Sequence, residues 1–186
     1  MGWPARLGIT IIFLVGLSFG PAALPVQAKV LHSREEALAL AFPEAERVEK
    51  RTFTLSAEQA QRVTTLATTP LESKQATVYI GYKGEQVLGY AFLDTRIVRT
   101  LPATFLIVLS PAGVVQHVQI LAFYEPEDYL PPERWLRQFE QQSLGPDLQL
   151  RRNIHGIAGA TLSSQAITNA VRQASALFQV LIREGQ

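Results

Sequence analysis

The chain has 186 residues, 17 Lys and Arg against 16 Asp and Glu, 47% hydrophobic residues and no cysteine. Near-balanced charge, with no basic run of five or more, argues against a nucleic-acid partner. Without cysteine, disulfides, Fe–S ligation, a lipid-anchor thiol and Cys-based haem attachment are excluded, so any electron the chain carries must ride on an organic cofactor.

At the N-terminus, Arg6 and the chain amine precede an uncharged apolar run, Leu7 to Phe19. Gly20, Pro21 and Pro25 then break the helix, and Val26-Gln27-Ala28 fits a small-residue cleavage site. The run is shorter than the ~20 residues of a membrane span. The expectation is a signal peptide over residues 1–28, cleaved near Ala28, and export to the periplasm or the extracytoplasmic face of the membrane. Residues 29–186 would then form the mature chain, enough for one domain with its own core.

Ser33-Arg-Glu-Glu36 and Ser56-Ala-Glu-Gln59 are two capping boxes. The first opens a helix over Ala37 to Phe42, stopped by Pro43. The second opens a helix to about Ala67, with Ala60, Val63 and Leu66 on one side and Thr68-Thr-Pro70 as its stop. Phe53-Thr-Leu55 between them reads as a short extended piece. Residues 29–75 are therefore expected as an N-terminal helical segment, serving as a packing layer or as a docking surface.

From Ala76 the period changes. Thr77 to Tyr82, the turn Lys83-Gly84-Glu85, and Gln86 to Leu93 read as strand, turn, strand, rich in β-branched and aromatic residues. Asp94 to Pro102, with Arg96 and Arg99, is expected as a connection. Thr104 to Leu109 is a short continuous apolar run, and Ser110-Pro-Ala-Gly113 suits a turn before Val114 to Phe123. Tyr124-Glu125-Pro126 closes that strand. Pro131-Pro132 starts a short helix in which Trp135, Leu136 and Phe139 face one way. Gly145-Pro146 breaks it, and Leu148 to Leu150 is a candidate extended segment. The fold class expected is α+β: an antiparallel sheet of about four strands packed against helices, with an N-terminal helical arm. His32, His117 and His155 are too scattered to suggest a metal site, and no nucleophile–His–Asp set marks a catalytic centre.

The stretch Asn153-Ile-His-Gly-Ile-Ala-Gly-Ala-Thr-Leu-Ser-Ser164 is small, hydroxyl-rich and punctuated by Gly156 and Gly159. Thr161, Ser163 and Ser164 are helix-capping residue types. Behind them Ala166, Ile167, Ala170, Val171, Ala174, Leu177, Phe178 and Leu181 recur at steps of three and four, one buried face of a long helix. A glycine loop entering a helix N-terminus offers unpaired N–H groups at the positive end of the dipole, suited to phosphate. By spacing alone it reads equally as an ordinary loop and helix start.

The wording is more specific than the spacing. Gly159-Ala160-Thr161-Leu162-Ser163-Ser164, followed by Ala166, Ile167 and Val171, resembles the flavinylation motif of the FMN-binding domain family, which includes FMN-bearing subunits of the Rnf complex and the sodium-pumping NADH:quinone oxidoreductase. The order of elements before it, with Tyr124-Glu125-Pro126 and then Trp135 and Phe139, is similar over roughly residues 76–182. Residues 76–186 are accordingly identified as the FMN-binding domain. Ala158 departs from the family's usual Ser or Thr, His155 or Asn153 from its aspartate, and Glu127-Asp128-Tyr129 from the glycines after Glu-Pro.

The resemblance implies FMN as cofactor, esterified through its phosphate to Thr161 by a magnesium-dependent flavin transferase that uses FAD as donor. It implies a cofactor site built from Gly159, Ala160, Thr161, Leu162, Ser163 and Ser164, with Glu125 and Tyr124 nearby; Tyr124, Tyr129, Trp135 and Phe139 are candidates for stacking on the ring or, alternatively, for core packing. Arg151 and Arg152 are candidates for phosphate or partner contact. It further implies an electron relay with a membrane or periplasmic redox partner rather than an enzyme with its own substrate turnover. The alternative is a cofactor-free binding or scaffold module that keeps the fold.

Overall fold

A computed structural model describes residues 29–185; the expected signal segment, residues 1–28, lies outside the described residues. The centre is one antiparallel sheet of six strands in the order β1-β6-β5-β4-β3-β2. These are β1 Lys29–Val30, β2 Arg47–Thr54, β3 Gln75–Lys83, β4 Gln86–Ile97, β5 Pro102–Leu109 and β6 Val115–Phe123. Four helices accompany them: α1 Arg34–Ala41, α2 Ala57–Ala67, α3 Glu133–Leu136 and α4 Thr161–Phe178.

The mixed α/β class with an antiparallel sheet is as the sequence suggests, but the sheet has six strands, not about four. The two additional strands are the edges. β2 pairs with β3 from Arg47–Tyr82 to Thr54–Gln75 and carries Arg47, Glu49, Lys50 and Arg51. Its side chains are mostly exposed, as befits an edge strand whose charges discourage pairing with another chain. Such a strand has no buried face to leave a period-two apolar signal. At the other edge, β1 pairs only two residues with Phe123 and Ala122. The N-terminal segment is therefore interleaved with the sheet: α1, then β2, then α2. Both expected capping boxes are present, Ser33 with Glu36 and Ser56 with Gln59.

The sheet is covered on both faces. On the larger side α2, α4 and the 135–154 region pack over Val78, Ile80, Phe92, Phe105, Ile107 and Ile120. On the other, Ala37, Leu38 and Phe42 cover Tyr79, Ala91, Leu106, Val108 and Leu121. Phe42 sits directly on Gly81, where an added Cβ would lie 2.7 Å from its ring. This explains a glycine in the middle of a strand.

Helix α4 is held by Arg172, 4% exposed. Its Nε donates to Ala67 O at 2.8 Å and its Nη2 to Leu66 O at 3.0 Å, at the C-terminal end of α2. Its Nη1 donates to Gly145 O and Leu148 O at 2.8 and 2.9 Å. Burial lowers the guanidinium pKa below its ordinary value. A second tie joins α2 to the end of the chain: Arg62 donates through two nitrogens to Glu184, at 2.9 and 2.8 Å. Arg172→Met, which keeps much of the apolar stem but removes these four charge-assisted hydrogen bonds, should lower stability by about 3 kcal/mol, measured by urea denaturation against the parent protein.

Candidate functional site

Three segments far apart in sequence meet at the N-terminus of α4. The glycine stretch is anchored by the short helix before it. Trp135 Nε1 donates to His155 O at 2.6 Å, and His155 N–H donates to Gln138 Oε1 at 2.9 Å. Trp135 also meets Phe139 edge to face at 5.4 Å, and both are buried. They are core, not stacking surface. Gly159 has φ +82°, a left-handed conformation that favours glycine, and turns the chain into α4; Gly156 is under no such demand.

The helix start lacks a side-chain cap. Its N-cap residue is Ala160, and no side chain accepts from the first turn. The first backbone bond of the helix runs from Ser164 N–H to Ala160 O at 3.0 Å. By helix geometry the N–H groups of Thr161, Leu162 and Ser163 therefore have no intrahelical partner. Ser163 is 1% exposed and its Oγ has no hydrogen-bond partner among the described residues. A helix N-terminus and an orphaned hydroxyl in one place are unusual in a native core, where buried polar atoms are paired.

The second wall is the turn between β4 and β5. The sequence suggests a long connection from Asp94, but β4 continues to Ile97, with Asp94 opposite Phe105 and Arg96 opposite Ala103. Arg96 Nη2 donates to Asp94 at 2.8 Å and to Gln173 of α4 at 2.8 Å, which draws the strand onward. The remaining turn is folded around Glu125. Its Oε1 accepts the backbone N–H groups of Arg99, Thr100 and Leu101 at 2.9, 2.6 and 2.8 Å. Burial pushes the Glu125 carboxyl up, but these amides, with Arg99, outweigh it and hold the pKa below its ordinary 4.5.

Between the walls lies a cavity of about 150 Å³, lined by Val98, Arg99, Glu125 and Tyr129 on one side and by Gly159, Ala160, Thr161, Leu162 and Ser163 on the other. Six expected site residues thus come together: Gly159, Ala160, Thr161, Leu162, Ser163 and Glu125. Two do not line it. Ser164 is turned inward, donating to Ala160 O at 3.1 Å and accepting from Ile157 N–H at 3.2 Å. Tyr124 is half-buried, and its N–H donates to Pro102 O at 3.1 Å. Arg151 and Arg152 also lie off the cavity; Arg152 donates to Pro146 O and Asp147. The cation at the site is Arg99, whose Nη1 donates to Tyr129 Oη at 3.2 Å. No local pattern singled it out: its place depends on a carboxylate 26 residues further on.

The model of the FMN-binding domain matches residues 73–176. The chain belongs to the FMN-binding domain family, and its cofactor is FMN. No match was found among curated proteins. The cavity fits the phosphate end of this cofactor. Unpartnered backbone N–H groups, an orphaned hydroxyl and one guanidinium are the donor set a phosphoryl group requires.

Three tests follow from this geometry. Gly159→Ala should cost about 1–2 kcal/mol for its left-handed backbone, while Gly156→Ala stays close to the parent, compared by thermal or urea unfolding. Ser163→Ala should leave apo-protein stability unchanged or raised, because no hydrogen bond is lost, yet weaken FMN binding in a fluorescence titration. For Glu125, a folded pKa below the unfolded one contributes stability that is complete above about 4.5 and is lost as pH falls through the folded value. Glu125→Gln should therefore flatten the fall in urea stability as the pH drops below about 4.5.

Proposed function

We propose that the chain is an exported flavoprotein that relays electrons, with FMN esterified through its phosphate to Thr161. The observation that carries this reading is the placement of Thr161. It is the first residue of α4, exposed, on the wall of the donor-lined cavity. Its neighbours Leu162 and Ser163 supply unpaired N–H groups, and Arg99 faces the motif from the opposite wall.

When bound, FMN supplies reversible electron-transfer chemistry; the chain supplies position and charge. Thr161 is the attachment residue. The helix N-terminus and the Ser163 hydroxyl would hold phosphate oxygens. Glu125 keeps the 98–101 turn in place, its Oε1 already engaged by backbone, so its role is to shape the wall. The cavity is smaller than the roughly 300–1,000 Å³ typical of sites that enclose a drug-sized ligand. It suits the phosphate end, which would leave the ring system at the mouth, where Leu162 is 52% exposed.

A partly uncovered ring suits passage of electrons to and from a membrane or periplasmic redox partner. Among the described residues no helix is long and apolar enough to cross a membrane. Maturation requires a flavin transferase acting at Thr161. In a transferase-competent host, the purified chain should weigh more than its residues by one FMN less one water and should be yellow. Thr161→Val should abolish the added mass while Thr161→Ser retains it in part. Intact-mass spectrometry of all three decides the matter, and an unshifted parent mass ends the esterification reading.

A further inference from the structure

The cavity beside Thr161 is lined by a single basic side chain, Arg99. We propose that Arg99 is the phosphate-recognising residue of this site. The inference deepens the flavin reading of the same cavity, and its phosphate part rests on that reading.

The backbone of Arg99 is fixed, because its N–H donates to the buried carboxylate of Glu125 at 2.9 Å. Its guanidinium is parked rather than consumed. It lies 5.8 Å from the centroid of the Tyr129 ring, and one nitrogen donates to the phenol oxygen at 3.2 Å. A guanidinium carries five N–H donors, so most stay free for a ligand. No carboxylate forms an ion pair with Arg99 among the described residues, in contrast to Arg96 with Asp94. The carboxylate at the cavity, Glu125, engages one oxygen with three amides and makes no direct bond to the Arg99 side chain. The planar fork of arginine matches two oxygens of a phosphate mono- or diester. Across the cavity, the uncapped first turn of α4 and the unpartnered Ser163 Oγ offer donors to the remaining oxygens. A phosphoryl group in this cavity meets a cation on one wall and a helix N-terminus on the other. A flavin without phosphate uses neither.

The test compares FMN with riboflavin, which shares the ring and ribityl chain but has no phosphate. Both are titrated into apo protein made in a host without a flavin transferase, and binding is read by flavin fluorescence. The parent protein should bind FMN more tightly than riboflavin. Arg99→Ala should weaken FMN about tenfold and leave riboflavin unchanged. Arg99→Lys should recover part of the loss. Inorganic phosphate should compete with FMN on the parent protein and much less on Arg99→Ala. Equal loss of both flavins, no loss of either, or a parent protein that does not prefer FMN would each overturn the proposal. Attachment is read separately by intact mass after co-expression with the transferase. Arg99-dependent preference for FMN without a mass shift would retain phosphate recognition and remove esterification. A mass shift with no Arg99 dependence would do the reverse.

Discussion

Arg172 is a cation held among backbone carbonyls, and the position of α4 depends on it. Taking a guanidinium out of water is costly, and only a full set of charge-assisted hydrogen bonds offsets the cost. Here the set comes from two places that need a donor. The carbonyls of Leu66 and Ala67 lie at the end of α2, where the last turn of a helix has no internal partners and the dipole is negative. The carbonyls of Gly145 and Leu148 belong to the segment that leads into the glycine stretch. One side chain therefore fixes the helix, the layer beneath it and the approach to the motif. The N-terminus of α4, where the site forms, inherits that placement.

The opposite wall depends on Glu125 in a comparable way. A free carboxylate beside a phosphate would repel it. With its Oε1 accepting three consecutive amides, Glu125 instead spends its charge on folding the turn that presents Arg99. Glu125 stays ionised at the cavity wall, and the positive groups that offset it there are Arg99 and the start of α4. Sheet pairing completes the arrangement. Arg96 and Asp94 extend β4 beyond its apolar run and tie it to Gln173, so the β4–β5 turn arrives beside the helix start rather than away from it.

Local signals made part of this legible. The capping boxes, the two hairpins and the apolar face of α4 each lie within a short window, and each is present in the fold. Of the edges of the sheet, only the end of β2 at Phe53-Thr54 was legible, as a short extended piece. β2 is charged along its length because it is an edge, and β1 is two residues long, so neither carries a periodic pattern. At the site, the residues contiguous with Thr161 could be read from the motif, except that Ser164 closes the loop by bonding Ile157 and Ala160 instead of facing the cavity. Tyr129, a stacking candidate from the sequence, does line the cavity, whereas Arg99 enters through long-range contacts that no spacing rule encodes. Trp135 and Phe139 were aromatic in the right neighbourhood, but the Trp135 bond to His155 O makes them supports of the loop.

The departures from the family motif have a common location. Asn153, His155 and Ala158 are all exposed, and none lines the cavity. The residues that do line it keep the Gly-Ala-Thr-x-Ser wording. A change at the exposed positions alters the surface a transferase would read, while the donors for phosphate stay in place. On the proposed reading, recognition by the transferase and retention of the product would be carried by different residues. A helix N-terminus is worth only about 0.3–1 kcal/mol to an exposed anion, which is too little to retain a dilute cofactor by itself. The proposed covalent link at Thr161 would remove that weakness, and Arg99 would add the charge that brings the phosphate to the threonine.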